Sequence, residues 1–127
     1  MADAGSPLDV VRAFMTAMER MDYDTALQHV ADDLEYTNGP LGTVSGPAGV
    51  RSMLEPFFAP MLENRFIVHR AIADGPIVVM ERLDRHRLAS GWIELPVTGV
   101  FEVHAGRISV WHDYFDAATI QNQMAVG

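Results

Sequence analysis

The chain contains no cysteine, which excludes disulfides, thiolate metal sites and cysteine nucleophiles together. Basic residues are scarce. Nine stand against seventeen acidic ones, and a net charge of −8 argues against nucleic acid or an anionic membrane as partner. No window approaches the ~20 apolar residues of a membrane span. The start, Met1 to Asp9, lacks a basic n-region and an apolar h-region, so the expected compartment is the cytoplasm. A Gly-rich phosphate loop and a Ser-centred elbow are also missing. The histidines show no metal-ligand spacing: His69, His86, His104 and His112 fall on separate strands or turns, and His29 ends a helix. No metal and no cofactor are expected. Without repeat, linker or low-complexity stretch, the 127 residues read as one domain spanning 1–127.

What is present is patterned. Ser6-Pro7-Leu8-Asp9 is a helix start, followed by Val10, Val11, Phe14, Ala17, Met18 and Met21 on one apolar stripe. Asp22-Tyr23-Asp24 breaks that helix, and Asp24 is the expected cap of a short second one reaching His29 or Val30. A strand over Leu34–Asn38 and a loop at Gly39–Gly42 come next. A third helix begins at Gly46-Pro47, with Pro56 expected to kink or break it near Leu54 or Glu55. The remainder reads as strands: 65–73, Ile77–Leu88, Trp92–Val103 and Ile108–Phe115, then a short helix, Ala117 to Met124, capped by Asp116. Helices first and antiparallel strands after them make an α+β fold, with helices covering one face of a curved sheet.

The strand 77–88 carries the most information. Alternation puts Val78, Met80, Arg82, Asp84 and His86 on one face, apolar at one end and charged at the other. Trp111, Asp113 and Phe115 share a face in the last strand, and Leu34, Tyr36 and Asn38 in the first. Taken singly, each feature has an ordinary explanation: a solvent-side ion pair, a turn cap, a core tyrosine with a satisfied hydroxyl. Taken together, three strands place polar groups on faces that are otherwise apolar, which describes a pocket. Buried carboxylates need partners, and one arginine can hold two. Asp84 and Asp113 beside one guanidinium cannot both stay ionised comfortably in a dry pocket, so one pKa should rise and leave an acid–base pair.

Tyr36-x-Asn38, Glu81-Arg82-Leu83-Asp84 and Gly99-Val100-Phe101 running on to Trp111-His112-Asp113-Tyr114-Phe115-Asp116 resemble the limonene-1,2-epoxide hydrolase family over nearly the whole chain. The resemblance implies a cone-shaped, curved, mixed or antiparallel sheet packed with N-terminal helices. That is the fold of nuclear transport factor 2, ketosteroid isomerase and SnoaL-like polyketide cyclases, within the cystatin-like superfold. It further implies a cofactor-independent homodimer whose partners are a small epoxide and water, the epoxide expected to be cyclic and terpene-like. Carried over, Asp113 is the general base, Tyr36 and Asn38 hold the water, Asp84 is the acid, and Arg82 bridges the two aspartates. The pattern departs from the family at His112, where an arginine is usual; by alternation His112 points away from Asp113. Met53, Leu54, Phe57, Met80, Leu95, Val97, Phe101, Trp111 and Phe115 are the expected apolar lining. Two other readings stay open: an isomerase or cyclase of the same fold, and a non-catalytic binding module dimerising through the sheet.

Overall fold

The computed structural model describes residues 5–126, with side chains through Met124. Met1 to Ala4, part of the segment read for a leader, lie outside the described residues. Helix α1 (Pro7–Glu19) begins with a reciprocal cap: Ser6 Oγ accepts from the Asp9 amide and the Asp9 carboxylate accepts from the Ser6 amide. Its stripe buries Val10, Val11, Phe14, Ala17 and Met18 as expected, with Met15 added and Met21 only half-buried. Helix α2 (Tyr23–Ala26) is capped by Asp22, not Asp24, because the Asp22 carboxylate reaches the Thr25 amide.

Strand β1 (Val30–Asn38) starts four residues before the expected Leu34. Its early half pairs irregularly, with a register shift between Val30 and Glu35, and exposes Asp32 and Asp33, so no alternation announces it. A three-residue strand β2 (Thr43–Ser45) pairs with β1 inside the region expected to lead directly to a helix. Helix α3 (Gly46–Phe58) runs through Pro56 without a break and stops two residues later; Pro56 sits exposed in the last turn.

Strands β3 (Glu63–Asp74), β4 (Ile77–Leu88), β5 (Gly91–His104) and β6 (Arg107–Tyr114) form an antiparallel meander. The β5–β6 turn uses Ala105 and Gly106, both at positive φ, as a two-residue hairpin demands. Strand order is β2-β1-β6-β5-β4-β3, with β1 parallel to β6 and every other pairing antiparallel. Helix α4 (Ala117–Val126) closes the chain, with Asp116 capping it through the Ala118 amide. The curved sheet turns one face to the helices, and the apolar core lies between them. Among the described residues, no helix is long and apolar enough to cross a membrane.

Candidate active site

The alternation on β4 is realised in full: Val78, Met80, Arg82, Asp84 and His86 are buried, while the intervening residues are half-buried or exposed. Arg82 is 3% exposed and spends its guanidinium on two carboxylates. Its Nε donates to Asp84 Oδ1 at 2.8 Å and its Nη2 to Asp84 Oδ2 at 3.1 Å. Toward β6, Nη1 donates to Asp113 Oδ1 at 3.2 Å and Nη2 to Asp113 Oδ2 at 2.8 Å. The fork geometry of arginine makes this double bidentate grip possible; a lysine ammonium could not make it.

β5 lies between β4 and β6, and the two charges meet across it because of Gly99. This residue pairs with Met80 on one side and Asp113 on the other. A Cβ at position 99 would stand 2.7 Å from Arg82 Nη1 and 2.9 Å from Asp113 Oδ1. The missing side chain is the space through which the guanidinium reaches β6. Its signal was visible in the alternation, where Gly99 interrupts a large inward row of Leu95, Val97 and Phe101.

The charges divide unevenly. Asp113 accepts a third N–H bond, from Trp111 Nε1 at 2.8 Å, whereas Asp84 has only its two from Arg82 among the described residues. Burial raises the Asp84 pKa; the Arg82 charge opposes that rise, and the Asp113 charge adds to it. For Arg82, burial works against the charge, but the flanking carboxylates raise its pKa above the ordinary value, so it stays a cation. One guanidinium with two carboxylates and one shared proton is neutral, the least costly state in a dry site. Of the two carboxylates, Asp84 has fewer N–H donors and a raised pKa.

Tyr36 and Asn38 arrive from β1. Parallel pairing sets Tyr36 beside Trp111 and Asn38 beside Asp113. The Tyr36 and Trp111 rings stack at 3.8 Å, which fixes the phenol. Neither the Tyr36 hydroxyl nor the Asn38 side-chain amide has a protein hydrogen bond among the described residues, and both side chains line the cavity beside Asp113. Burial, then the Asp113 charge, pushes the Tyr36 pKa well above the usual phenol value, so it remains a neutral donor.

Above this floor stands an apolar cavity of about 270 Å³. Of the expected lining, Met53, Leu54, Phe57, Leu95, Val97, Trp111 and Phe115 face it. Met80 and Phe101 do not. Both are fully buried in the main core, beyond the Arg82 layer, where Phe101 stacks behind Trp111 at 6.1 Å. The cavity adds Met15 and Met18 from α1, Leu41, Phe58, Phe66, His86 and Ile120. Met18 had been visible only as helical core periodicity, which does not distinguish a wall from a core, and Met15 lay outside the expected stripe. His112 lies on the opposite face and stacks on Tyr114 at 3.8 Å. No cluster of His, Asp and Glu suited to a metal ion occurs among the described residues.

Residues 5–126 match the limonene-1,2-epoxide hydrolase catalytic domain. Epoxide hydrolase EphG of Mycobacterium tuberculosis is 35% identical over 106 residues, covering 84% of this chain and 70% of that protein. The solved structure of an M. tuberculosis epoxide hydrolase of this type superposes with a TM-score of 0.80 at 31% identity, covering 95% of this chain and 90% of that one. A putative SnoaL-like polyketide cyclase from Shewanella denitrificans superposes with a TM-score of 0.84 at 17% identity, covering 95% and 98%, and shares the fold alone.

Proposed function

Since the chain belongs to the limonene-1,2-epoxide hydrolase family and is an epoxide hydrolase, we propose that it opens small cyclic, terpene-type epoxides by one-step attack of water. The observation that carries this reading is Arg82 holding Asp84 and Asp113 together at the floor of an apolar cavity. Water sits against Asp113, oriented by the Tyr36 hydroxyl and the Asn38 amide. Asp113 takes one of its protons as the oxygen attacks an oxirane carbon. The ring C–O bond breaks, and Asp84 gives its proton to the departing oxygen. Epoxide and water become a vicinal diol. Asp113 ends protonated and Asp84 ionised, and the proton returns to Asp84 before the next cycle. Arg82 stays charged throughout and keeps the carboxylates in register.

Cavity size supports a compact substrate. About 270 Å³ corresponds to roughly nine water volumes, or about ten non-hydrogen atoms. An epoxide offers little to grip, and apolar walls with a few polar groups suit it.

Direct attack by water, with no ester intermediate, is tested by a single turnover in heavy-oxygen water with enzyme in excess. The label is expected in the diol and absent from the protein. Label in Asp84 or Asp113 would overturn the one-step mechanism.

The protein is further proposed to act as a cytoplasmic homodimer through the outer sheet face. Ile67 is 40%, Ile72 67% and Tyr114 53% exposed there, apolar side chains that a second copy would cover. Sedimentation equilibrium checks the assembly; a monomer at micromolar concentration would refute it.

A further inference from the structure

His86 is a polar side chain in the apolar wall, 2% exposed, two residues beyond Asp84 on the same face of β4. The rings of Phe57, Phe58 and Phe66 surround it at 5.5, 5.8 and 6.3 Å between centroids. Its tautomer follows from groups outside the cavity. The carbonyl of Glu19, at the C-terminal end of α1, has no intrahelical donor available. The side chain of Asn64, itself 4% exposed, donates to it through Nδ2 at 3.4 Å. That fixes the amide orientation, so Asn64 Oδ1 faces His86 Nδ1 at 2.7 Å and must accept. The hydrogen is therefore on Nδ1. Nε2 is left with a bare lone pair and no protein partner among the described residues, in a ring that lines the cavity. Burial, and then the Arg82 charge, lower the His86 pKa to about 4, so the ring stays neutral and Nε2 remains an acceptor at neutral pH.

We propose that His86 Nε2 is a substrate hydroxyl acceptor, and that the preferred substrates are epoxy alcohols. The inference rests on the hydrolytic reading above and names its substrate class. A lone acceptor in a greasy wall selects a neutral O–H: an anion would be repelled, and a hydrocarbon would leave the lone pair unmet. Two residues along a strand span about 6–7 Å. The hydroxyl then belongs across the ring from the oxirane, roughly three to five bonds away, when the oxirane oxygen is on Asp84.

The test compares 4-(hydroxymethyl)cyclohexene oxide with 4-ethylcyclohexene oxide, which differ by O–H against CH₃. A purely apolar cavity favours the ethyl compound, because burying an unpaired hydroxyl is costly. The wild-type protein is expected to favour the alcohol in kcat/KM by about tenfold or more. His86→Leu should reverse that ratio. Diol from both epoxides without preference for the alcohol overturns the subsite alone, as does a Leu variant that keeps the preference. Diol from neither overturns the small cyclic substrate class proposed above. Nitrogen NMR of the intact protein decides the tautomer independently of any variant: a bare Nε2 supports the assignment, and a protonated Nε2 with bare Nδ1 overturns it.

Discussion

β4 carries arginine–carboxylate pairs on both faces, and Arg82 and Arg85, three residues apart, represent the two settings. Inside, Arg82 grips Asp84 and Asp113, with arginine and aspartate side chains at most 10% exposed. Outside, Arg85 bonds Glu94 at 2.8 Å and lies over the Trp92 ring, with side chains 26% and 50% exposed. The residue types and bond lengths are nearly the same. Water makes the difference. Outside, each charge is solvated with or without its partner, and the pair adds little. Inside, each charge depends on the others for its solvation, and the proposed reaction uses that dependence as an acid–base pair.

The comparison breaks most sharply at the carboxylates. Asp113→Asn and Asp84→Asn are each expected to cut diol formation by about 10²–10⁴-fold while the circular dichroism spectrum is retained. A variant keeping a tenth of the activity would remove that residue from the machinery. Gly99→Ala should cost about 10²-fold in kcat although it removes no reactive group, because its methyl would occupy the gap between Arg82 and Asp113. Unaltered kinetics would show that the grip is not needed.

A third change tests burial itself, through His86. Its folded pKa is about 4 against an ordinary 6.5. Between those values the unfolded chain binds a proton that the folded protein does not. Stability from this group is therefore complete above pH 6.5 and falls as pH drops through 4, by about 3 kcal/mol. His86→Leu lacks that loss, so the stability difference between wild type and variant should shift toward the variant on acidification. Asp84 works in the opposite sense: with its pKa raised, its contribution is greatest in acid and falls as pH rises through the folded value. It is present in both proteins and largely cancels in the difference. Urea denaturation of both proteins at pH 7 and pH 5 measures the shift, and parallel curves would refute it.

Smaller effects follow. Tyr36→Phe should lower kcat only about tenfold, because water keeps Asn38 and Asp113 as partners; single-turnover rates measure it. Arg85→Ala supplies the outer control, with kinetics unchanged and a melting temperature within roughly 3 °C of wild type. A large loss of activity there would erase the distinction between the faces.

Much of this site was legible in the sequence because a strand repeats every two residues. Arg82, Asp84 and His86 had to share a face once β4 was recognised, and the apolar row before them pointed that face inward. Gly99 stood in the same alternating pattern as the aspartate's neighbours. Asp22 as the cap of α2 was not legible, since Asp22 and Asp24 are equally good caps by type and only the Thr25 amide distinguishes them.

Tertiary structure alone decided the contacts that depend on register between distant strands. That Asn64 meets His86 follows from β3–β4 pairing across twenty-two residues, and a slip of one would send Asn64 outward. That Tyr36 stacks on Trp111 follows from the parallel β1–β6 pair, which no hairpin turn encodes. Met80 and Phe101 share inward faces with lining residues, yet they lie on the core side of Arg82, and periodicity gives the face but not the depth. Local chemistry determines which side of each strand is polar. How far along that side the cavity reaches is set by what the helices bring to cover it, and by where the guanidinium closes it off.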